Sequence, residues 1–195
     1  TYSWVDITGT GTDITAGMSD DSIVGPFPIG FTFSYYGTSY TDFWVNSNGT
    51  VVFSNNYISY GNVQMPTANH NFPFIAWFWD DLNPANGAQG QVYYETMMIG
   101  QNNALVIEYY QLDEYPGGPD APNVTAEVIL FDDGRIIMQY NDFFGAFDLA
   151  GGTIGIQNDG ITGLDVLFNG SIPNYPFANL AIEYSIIPGD ADVTG

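Results

Sequence analysis

The sequence has almost no positive charge. Arg135 is the only Lys or Arg among 195 residues, whereas 22 residues are Asp or Glu, and the formal net charge is −21 at pH 7. Binding to nucleic acid or to an anionic membrane surface depends on Lys and Arg side chains that replace counterions. We therefore expect no nucleic-acid partner. Such an acidic surface is typical of secreted and cell-surface proteins, and we predict an extracellular location.

Cysteine and long apolar runs are also absent. Without cysteine the chain forms no disulfide and no thiolate metal site. The longest apolar runs are far shorter than the ~20 residues of a membrane-spanning helix, so we expect no membrane insertion. The first residue is Thr1 rather than Met, and no signal peptide is present, which indicates a mature or excised segment.

What remains is an apolar composition rich in turn-forming residues. The hydrophobic fraction is 45% and the charged fraction 12%, the opposite of a disordered chain. The 23 Gly and 11 Pro residues interrupt short apolar runs, which indicates many turns. We predict one domain over residues 1–187, because a chain of this length suits a single sizeable core.

Apolar residues recur with period two, which is the pattern of β-strands. Residues 46–49 and 132–134 contain Asn-Gly and Asp-Gly turn signals and predict hairpins. The predicted strands are 31–35, 43–45, 51–53, 74–79, 91–96, 104–112, 125–131, 135–140, 153–157, 165–168 and 180–186. This number of short strands is typical of a sandwich or a barrel. We favour an all-β fold, an antiparallel two-sheet β-sandwich that is jelly-roll-like, with long loops at 60–72 and 115–123.

The last eight residues, 188–195, form a tail with a possible calcium motif. Asp190, Asp192 and Thr194, followed by Gly195, match the first half of an EF-hand-type loop. The alternative interpretation is a frayed polar tail. If the match is real, the tail is the start of a calcium-binding repeat, and it resembles the opening of a dockerin-like repeat.

Several short motifs occur in an unusual order. They read Tyr2-Ser3-Trp4-Val5-Asp6-Ile7, Pro26-Phe27-Pro28-Ile29-Gly30-Phe31-Thr32-Phe33, Tyr36-Gly37, Asn46-Ser47-Asn48-Gly49, Ile75-Ala76-Trp77-Phe78-Trp79-Asp80-Asp81-Leu82-Asn83-Pro84, Ile129-Leu130-Phe131-Asp132-Asp133-Gly134-Arg135-Ile136 and Gly155-Ile156-Gln157-Asn158. This order resembles a nidogen-like β-sandwich module of large secreted bacterial proteins, among them proteases and surface adhesins. The resemblance covers roughly residues 1–187. It implies an accessory module and no particular ligand.

Calcium is the metal that the composition favours, because turn carboxylates outnumber protein cations. Asp80 and Asp81, next to Asn83 and Pro84, are the first candidate ligands, and Asp190 and Asp192 are the second. The alternative is that Asp residues cap turns without metal. Two other acidic clusters near loops could also coordinate Ca²⁺, but we favour solvated loop acids there: Asp113, Glu114 and Asp120, and Asp142 and Asp148.

The chain has four Trp, 14 Tyr and 14 Phe residues, more than one core usually needs. Exposed aromatic side chains bind sugars or protein partners, whereas a sandwich core buries them. Ligand-platform candidates are Trp44, Tyr57, Tyr60 and Tyr115, with Trp77, Trp79, Tyr109 and Tyr110 also considered. The sequons at Asn48, Asn123 and Asn169 are glycosylation candidates or plain turns.

The sequence offers no catalytic motif. His70 is the only His, no Ser lies in a nucleophile elbow, and no carboxylates have glycosidase spacing. We predict a non-enzymatic, extracellular structural or adhesive β-sandwich, a module or self-assembling protomer of a surface fibre or larger secreted protein. The alternatives are a carbohydrate-binding module and an accessory domain of a secreted protease.

The expected partners are other copies of the chain, other surface proteins or glycans. Edge strands are often protected by Lys, and this chain has none. The polar segments 8–15 and 188–195 resemble extended arms that can add a strand to a neighbouring sheet.

Overall fold

The computed structural model describes residues 1–85 and 90–185. Over these two ranges it contains thirteen β-strands, one 3-10 turn at Thr15–Gly17 and no α-helix. The strands are β1 Thr12–Asp13, β2 Ile23–Tyr35, β3 Thr38–Asn46, β4 Thr50–Val52, β5 Phe74–Trp79, β6 Leu82–Asn83, β7 Gln91–Ile99, β8 Asn102–Glu114, β9 Asn123–Phe131, β10 Arg135–Phe144, β11 Thr153–Gln157, β12 Gly163–Phe168 and β13 Leu180–Ser185. No helix in the described part of the chain has the length and apolarity to cross a bilayer.

The strands form two sheets that pack face to face. The first sheet has seven strands. Six follow the order β1-β7-β8-β9-β10-β13, and the seventh, β6, pairs with β8. The second sheet has six strands in the order β12-β11-β5-β4-β3-β2. All neighbours are antiparallel. The predicted two-sheet antiparallel β-sandwich is confirmed.

The predicted hairpins are also present. The turn at residues 46–49 joins β3 to β4, and the Asp-Asp-Gly turn at residues 132–134 joins β9 to β10. Gly49 and Gly134 have φ values of 74° and 90°, the left-handed conformation in which glycine is favoured. The two-residue strands β1 and β6 were not predicted, because two residues are too short for a periodic signal.

The core lies between the sheets and is largely aromatic. Trp77 of β5 and Tyr109 of β8 face each other across it with ring centroids 4.3 Å apart. The hydroxyl of Tyr140 donates to the carbonyl of Trp77. The hydroxyl of Tyr35 lies 3.0 Å from the carbonyl oxygens of both Phe74 and Gln157, which share its one proton. Buried tyrosines need such partners, because an unpaired hydroxyl in an apolar core is costly.

The outer face of the second sheet is covered by the β4–β5 loop, residues 54–73. Ile58 and Met65 of this loop pack on the outward-facing Phe74 and Trp79 of β5. The indole Nε1 of Trp79 donates to the carbonyl of Ser59 at 2.7 Å, which attaches the loop to the sheet. Strand β5 is therefore buried on both faces, as its uninterrupted apolar sequence predicts.

The first sheet is covered on its outer side by the start of the chain. Ile7 packs with Val106 of β8 and Ile129 and Phe131 of β9, and it is completely buried. Thr12–Asp13 then pairs with β7 at the edge of the same sheet. The expectation of a free arm at residues 8–15 is wrong, because part of it is already a strand of its own domain. The tail that starts at residue 188 lies outside the described residues.

Candidate functional site: an acidic tyrosine pocket

At one end of the sandwich, three loops and a strand end enclose a pocket of about 210 Å³. We call it the acidic tyrosine pocket. Asp20 and Asp21 come from the segment before β2, Tyr60 from the β4–β5 loop, Asp81 from the end of β5 and Tyr115 from the β8–β9 loop. Three carboxylates and two phenols thus line one concavity.

The β3–β4 turn positions the two loops on one side of the pocket. Asn48 is completely buried, and its Nδ2 donates to Oδ1 of Asp21 at 2.9 Å. The hydroxyl of Tyr57 donates to the same Asp21 oxygen at 2.7 Å. Asn46, also buried, accepts at its Oδ1 from the backbone N–H of Ile58 at 3.1 Å. Two buried Asn residues of one tight turn therefore orient a carboxylate from one loop and the backbone of another.

Ser22 and Ser47 connect the same turn to the Asp20–Asp21 segment. The backbone N–H of Ser22 donates to Oγ of Ser47 at 3.0 Å, and the N–H of Ser47 donates to the carbonyl of Ser22 at 3.0 Å. Oγ of Ser22 in turn accepts from the N–H of Ser19 at 2.9 Å. These reciprocal bonds limit the movement of the segment that carries two of the pocket carboxylates.

Gly49 lets the turn approach β5 closely. Its carbonyl accepts from the backbone N–H groups of Trp77 and Phe78 at 3.1 and 3.4 Å. A Cβ added to Gly49 would lie 1.9 Å from the carbonyl oxygen of Phe78. Only glycine fits this position.

The opposite wall of the pocket is held by backbone bonds. The N–H of Tyr115 donates to the carbonyl of Asp81 at 2.9 Å. Beside them, β6 pairs with the end of β8 through Leu82 and Glu114. The side chains of Asp81 and Tyr115 are therefore brought together by the first sheet and its adjoining loop.

The pocket is electrostatically negative and has no cationic side chain in its lining. Burial raises the pKa of Asp20, and Asp21 adds to this effect by repulsion. Burial also raises the pKa of Asp81, with further contributions from Asp20 and Asp21. The chain's only Lys or Arg, Arg135, lies at the opposite end of the first sheet, where its Nε is 2.9 Å from Asp133 Oδ2.

The structure separates Asp80 from Asp81, the first pair of calcium candidates. Asp81 faces the acidic tyrosine pocket, whereas Asp80 lies beside Asp148 and Glu114. Burial, followed by repulsion from Asp148, raises the pKa of Asp80. A Cβ on Gly151 would lie 2.4 Å from Asp80 Oδ2, so a side chain there would displace the Asp80 carboxylate.

Among residues 1–85 and 90–185, no group of three or more His, Cys, Asp or Glu side chains has the arrangement of a metal site. Asp190 and Asp192 lie outside the described residues. Calcium binding remains a prediction.

The predicted aromatic platform is only partly assembled. Tyr60 and Tyr115 line the pocket and are 51% and 52% exposed, whereas Tyr57, 40% exposed, lies outside the lining and donates to the pocket residue Asp21. Trp44 is half-buried and packs on the apolar cluster beneath the β4–β5 loop, away from the pocket lining. The remaining candidates were wrong or lie elsewhere: Trp77, Trp79 and Tyr109 are completely buried, and Tyr110 is half-buried on the outer face of the first sheet.

The three sequons differ in accessibility. Asn48 is completely buried and its Nδ2 is engaged by Asp21, so the folded domain leaves no room for a glycan there. Asn123 is 8% exposed, and its Nδ2 donates to the carbonyl of Ala121. Asn169 is exposed and lies in a turn with φ of 43°. Of the three, Asn169 is the most accessible acceptor.

Asp20 and Asp21 are pocket residues that the sequence analysis did not single out. Their only local signal is an adjacent acidic pair between Ser19 and Ser22. Nothing in the sequence places this pair near Tyr60 or Asp81, because the contact depends on how β2, β4 and β5 are ordered in the sheet.

A comparison with protein families gives a match over nearly the whole chain. The family model described as NIDO related matches residues 1–186. No solved structure matches the chain.

Proposed function

The chain belongs to the NIDO-related family, and from this premise we propose that it is a non-enzymatic adhesive module of an extracellular protein, binding its ligand at the acidic tyrosine pocket. The single observation that carries the proposal is the convergence of Tyr60 and Tyr115 with three carboxylates in one exposed concavity. Binding residues commonly lie on loops that a rigid scaffold positions, and this pocket has that construction.

The pocket chemistry favours a neutral ligand with many hydroxyl groups. Asp20, Asp21 and Asp81 offer acceptors for hydroxyl donors, and the rings of Tyr60 and Tyr115 offer apolar faces with polar tips. An anionic ligand would face three carboxylates without a cation, which opposes its entry. A glycan is the ligand class that combines hydroxyl groups with C–H faces, so this proposal unites adhesion with the carbohydrate-binding alternative.

A glycan array probed with the purified domain tests the proposal, followed by titration calorimetry with the best ligand. Replacing one ring, in Tyr60→Ala or Tyr115→Ala, is expected to weaken binding about fivefold, because such a ring contact is worth ~1 kcal/mol. Ile161→Ala is the matched control, since Ile161 is 87% exposed and lies on the β11–β12 loop, outside the pocket lining.

Two results would contradict the proposal. If no glycan binds, or if the tyrosine variants bind as the wild type does, the pocket is not the adhesive site. If incubation with the bound glycan releases new reducing ends, and Asp81→Asn abolishes the release, the domain is an enzyme.

A further inference from the structure

Three polar side chains form a row across the outer face of the first sheet. Glu108 of β8 lies directly opposite Glu127 of β9, and Glu127 lies directly opposite Gln139 of β10. Glu108 is 1% exposed, Glu127 is 0% and Gln139 is 2%. Two carboxylates thus lie side by side in a buried position, where cross-strand Cβ atoms are ~5 Å apart.

Residues 1–7, which we call the strap, follow this row of side chains and therefore cross the strands of the sheet. The backbone N–H of Ser3 donates to Oε1 of Gln139 at 2.6 Å, that of Val5 to Oε1 of Glu127 at 3.3 Å, and that of Ile7 to Oε2 of Glu108 at 2.7 Å. Alternate residues of an extended segment therefore meet the side chains of three successive strands.

The side chain of Gln139 makes two further hydrogen bonds, one to the strap and one to Glu127. Nε2 of Gln139 donates both to the carbonyl of Ser3 at 2.7 Å and to Oε1 of Glu127 at 2.6 Å. Oε2 of Glu127 is buried and has no hydrogen-bond partner among residues 1–85 and 90–185. A buried ionised carboxylate with one unsatisfied oxygen is costly, whereas a protonated carboxyl costs less.

We propose that the strap is a proton-controlled cover, docked while Glu108 and Glu127 hold protons and released when both become ionised. Release uncovers the apolar seat of Ile7, which is formed by Ala104, Val106, Ile129 and Phe131. This device is independent of the acidic tyrosine pocket, which is built from other residues.

The electrostatics of the docked state support this coupling. Burial raises the pKa of Glu108 to about 7, and Asp6 of the strap adds repulsion. Burial raises the pKa of Glu127 to about 8, and Glu108 and Asp6 add to this. The strap N–H bonds and Gln139 act in the opposite direction without cancelling burial.

In the part of the chain that the structure describes, no Lys or Arg side chain faces the pair. From the strap, Tyr2 and Asp6 face the carboxylates, and from β7 Tyr93 lies directly opposite Glu108. Farther along the same face, Glu95 of β7 accepts from Thr10, and Arg135 of β10 is engaged by Asp133 and lies 4.0 Å from Glu183 of β13. Protonation, rather than a neighbouring cation, therefore removes the cost of burying the two carboxylates side by side.

The direction of the pH effect follows from proton linkage. With the strap released, both carboxylates meet water and their pKa values return toward the ordinary 4.5. The docked state then binds more protons than the released state between about pH 4.5 and pH 8, so docking weakens as pH rises through this range. The ratio of released to docked strap rises by up to about tenfold per pH unit for each linked proton.

The test uses the absence of cysteine from the chain. A spin label on Thr1→Cys reports strap mobility between pH 5 and pH 9. Far-UV circular dichroism verifies that the two sheets stay folded, because Trp4 lies in the strap and Trp fluorescence would respond to its release. We expect an immobile label at pH 5 and a growing mobile fraction above pH 7. In the Glu108→Gln/Glu127→Gln double variant the label should stay immobile throughout, and in the control Glu95→Gln the transition should remain.

Two outcomes overturn the inference. One is a mobile fraction in the wild type that does not change between pH 5 and pH 9, or a transition that survives in the double Gln variant. The other uses the unaltered protein and does not depend on how the variants fold: a carbon-13 NMR titration in which Glu108 and Glu127 both lose their protons near pH 4.5.

Discussion

Replacing Gly49 by alanine tests whether the β3–β4 turn is the anchor of the pocket. Two effects act together at this position. Gly49 has φ of 74°, which an L-residue adopts with strain, and the new Cβ would lie 1.9 Å from the carbonyl oxygen of Phe78. Since this neighbour is backbone in the middle of the second sheet, no side-chain rotation can remove the clash.

The magnitude can be worked out in parts. The left-handed conformation costs ~1–2 kcal/mol for a non-glycine residue, partly offset by the lower entropy of the unfolded alanine chain. Forcing the turn away from β5 costs ~1–3 kcal/mol, as overpacking does elsewhere. The displacement also weakens the bonds that the Gly49 carbonyl accepts from Trp77 and Phe78, which are worth ~1 kcal/mol each. We expect a loss of about 3–5 kcal/mol in the free energy of unfolding.

Gly37→Ala provides a matched control. Gly37 has φ of 79° in the β2–β3 turn, and an added Cβ there would have no neighbour within 4 Å. This variant bears the conformational cost without the clash, so it should lose ~1 kcal/mol or less. Urea unfolding followed by Trp fluorescence measures both variants, and the slope of free energy against urea should not change.

Equal losses in the two variants would refute the reasoning, because they would mean that the turn moves away from Phe78 at no cost. A second consequence sharpens the test. Asn48 orients Asp21 from within the same turn, so Gly49→Ala should also weaken ligand binding at the pocket, whereas Gly37→Ala should not.

Three further predictions concern the charges and the sequons. Millimolar Ca²⁺ should raise the melting temperature above that in excess chelator, because no cationic side chain lines the pocket that holds Asp20, Asp21 and Asp81. Asp81→Asn should reduce this increase, whereas Asp42→Asn, on the exposed part of β3, should not. Identical melting curves in Ca²⁺ and in chelator would contradict the prediction. In a host that glycosylates secreted proteins, peptide mass spectrometry should find glycan at Asn169 and not at Asn48, whose buried amide donates to Asp21; an occupied Asn48 in folded protein would contradict the structure. Arg135→Ala should lower the free energy of unfolding in urea by only ~1 kcal/mol, because its ion pair with Asp133 is about one-third exposed and its guanidinium lies 4.3 Å from the Phe131 ring centre. A loss several times larger would contradict this surface role for the only Lys or Arg.

The sequence predicts well what depends on neighbours along the chain. Period-two alternation located most of the strands, although β2 begins at Ile23, eight residues before the predicted strand 31–35. The Asp-Asp-Gly turn of the β9–β10 hairpin was evident from residues 132–134. These features are local because strand alternation and turn conformation depend on a few adjacent residues. Arg135 beside Asp133 follows in the same way, since two residues that flank a turn are already close.

Burial of polar residues was not predictable in this way. Glu108 and Glu127 have the outward phase of their strands, which predicts exposure, yet both are buried under residues 1–7. Asn48 reads as an exposed turn residue and is completely buried. In each case the segment that covers the side chain is distant in sequence, so the residues beside it in the chain do not predict its burial.

The sequence by itself determined the all-β class, the main hairpins, the negative charge and the family. Only the tertiary structure decided that Asp21 meets Tyr57, 36 positions away, and that Asp80 and Asp81 face different surroundings. The reason is physical: a carboxylate's surroundings depend on which loops the strand order brings to the same end of the sandwich, and that order is selected by packing the two sheets as a whole.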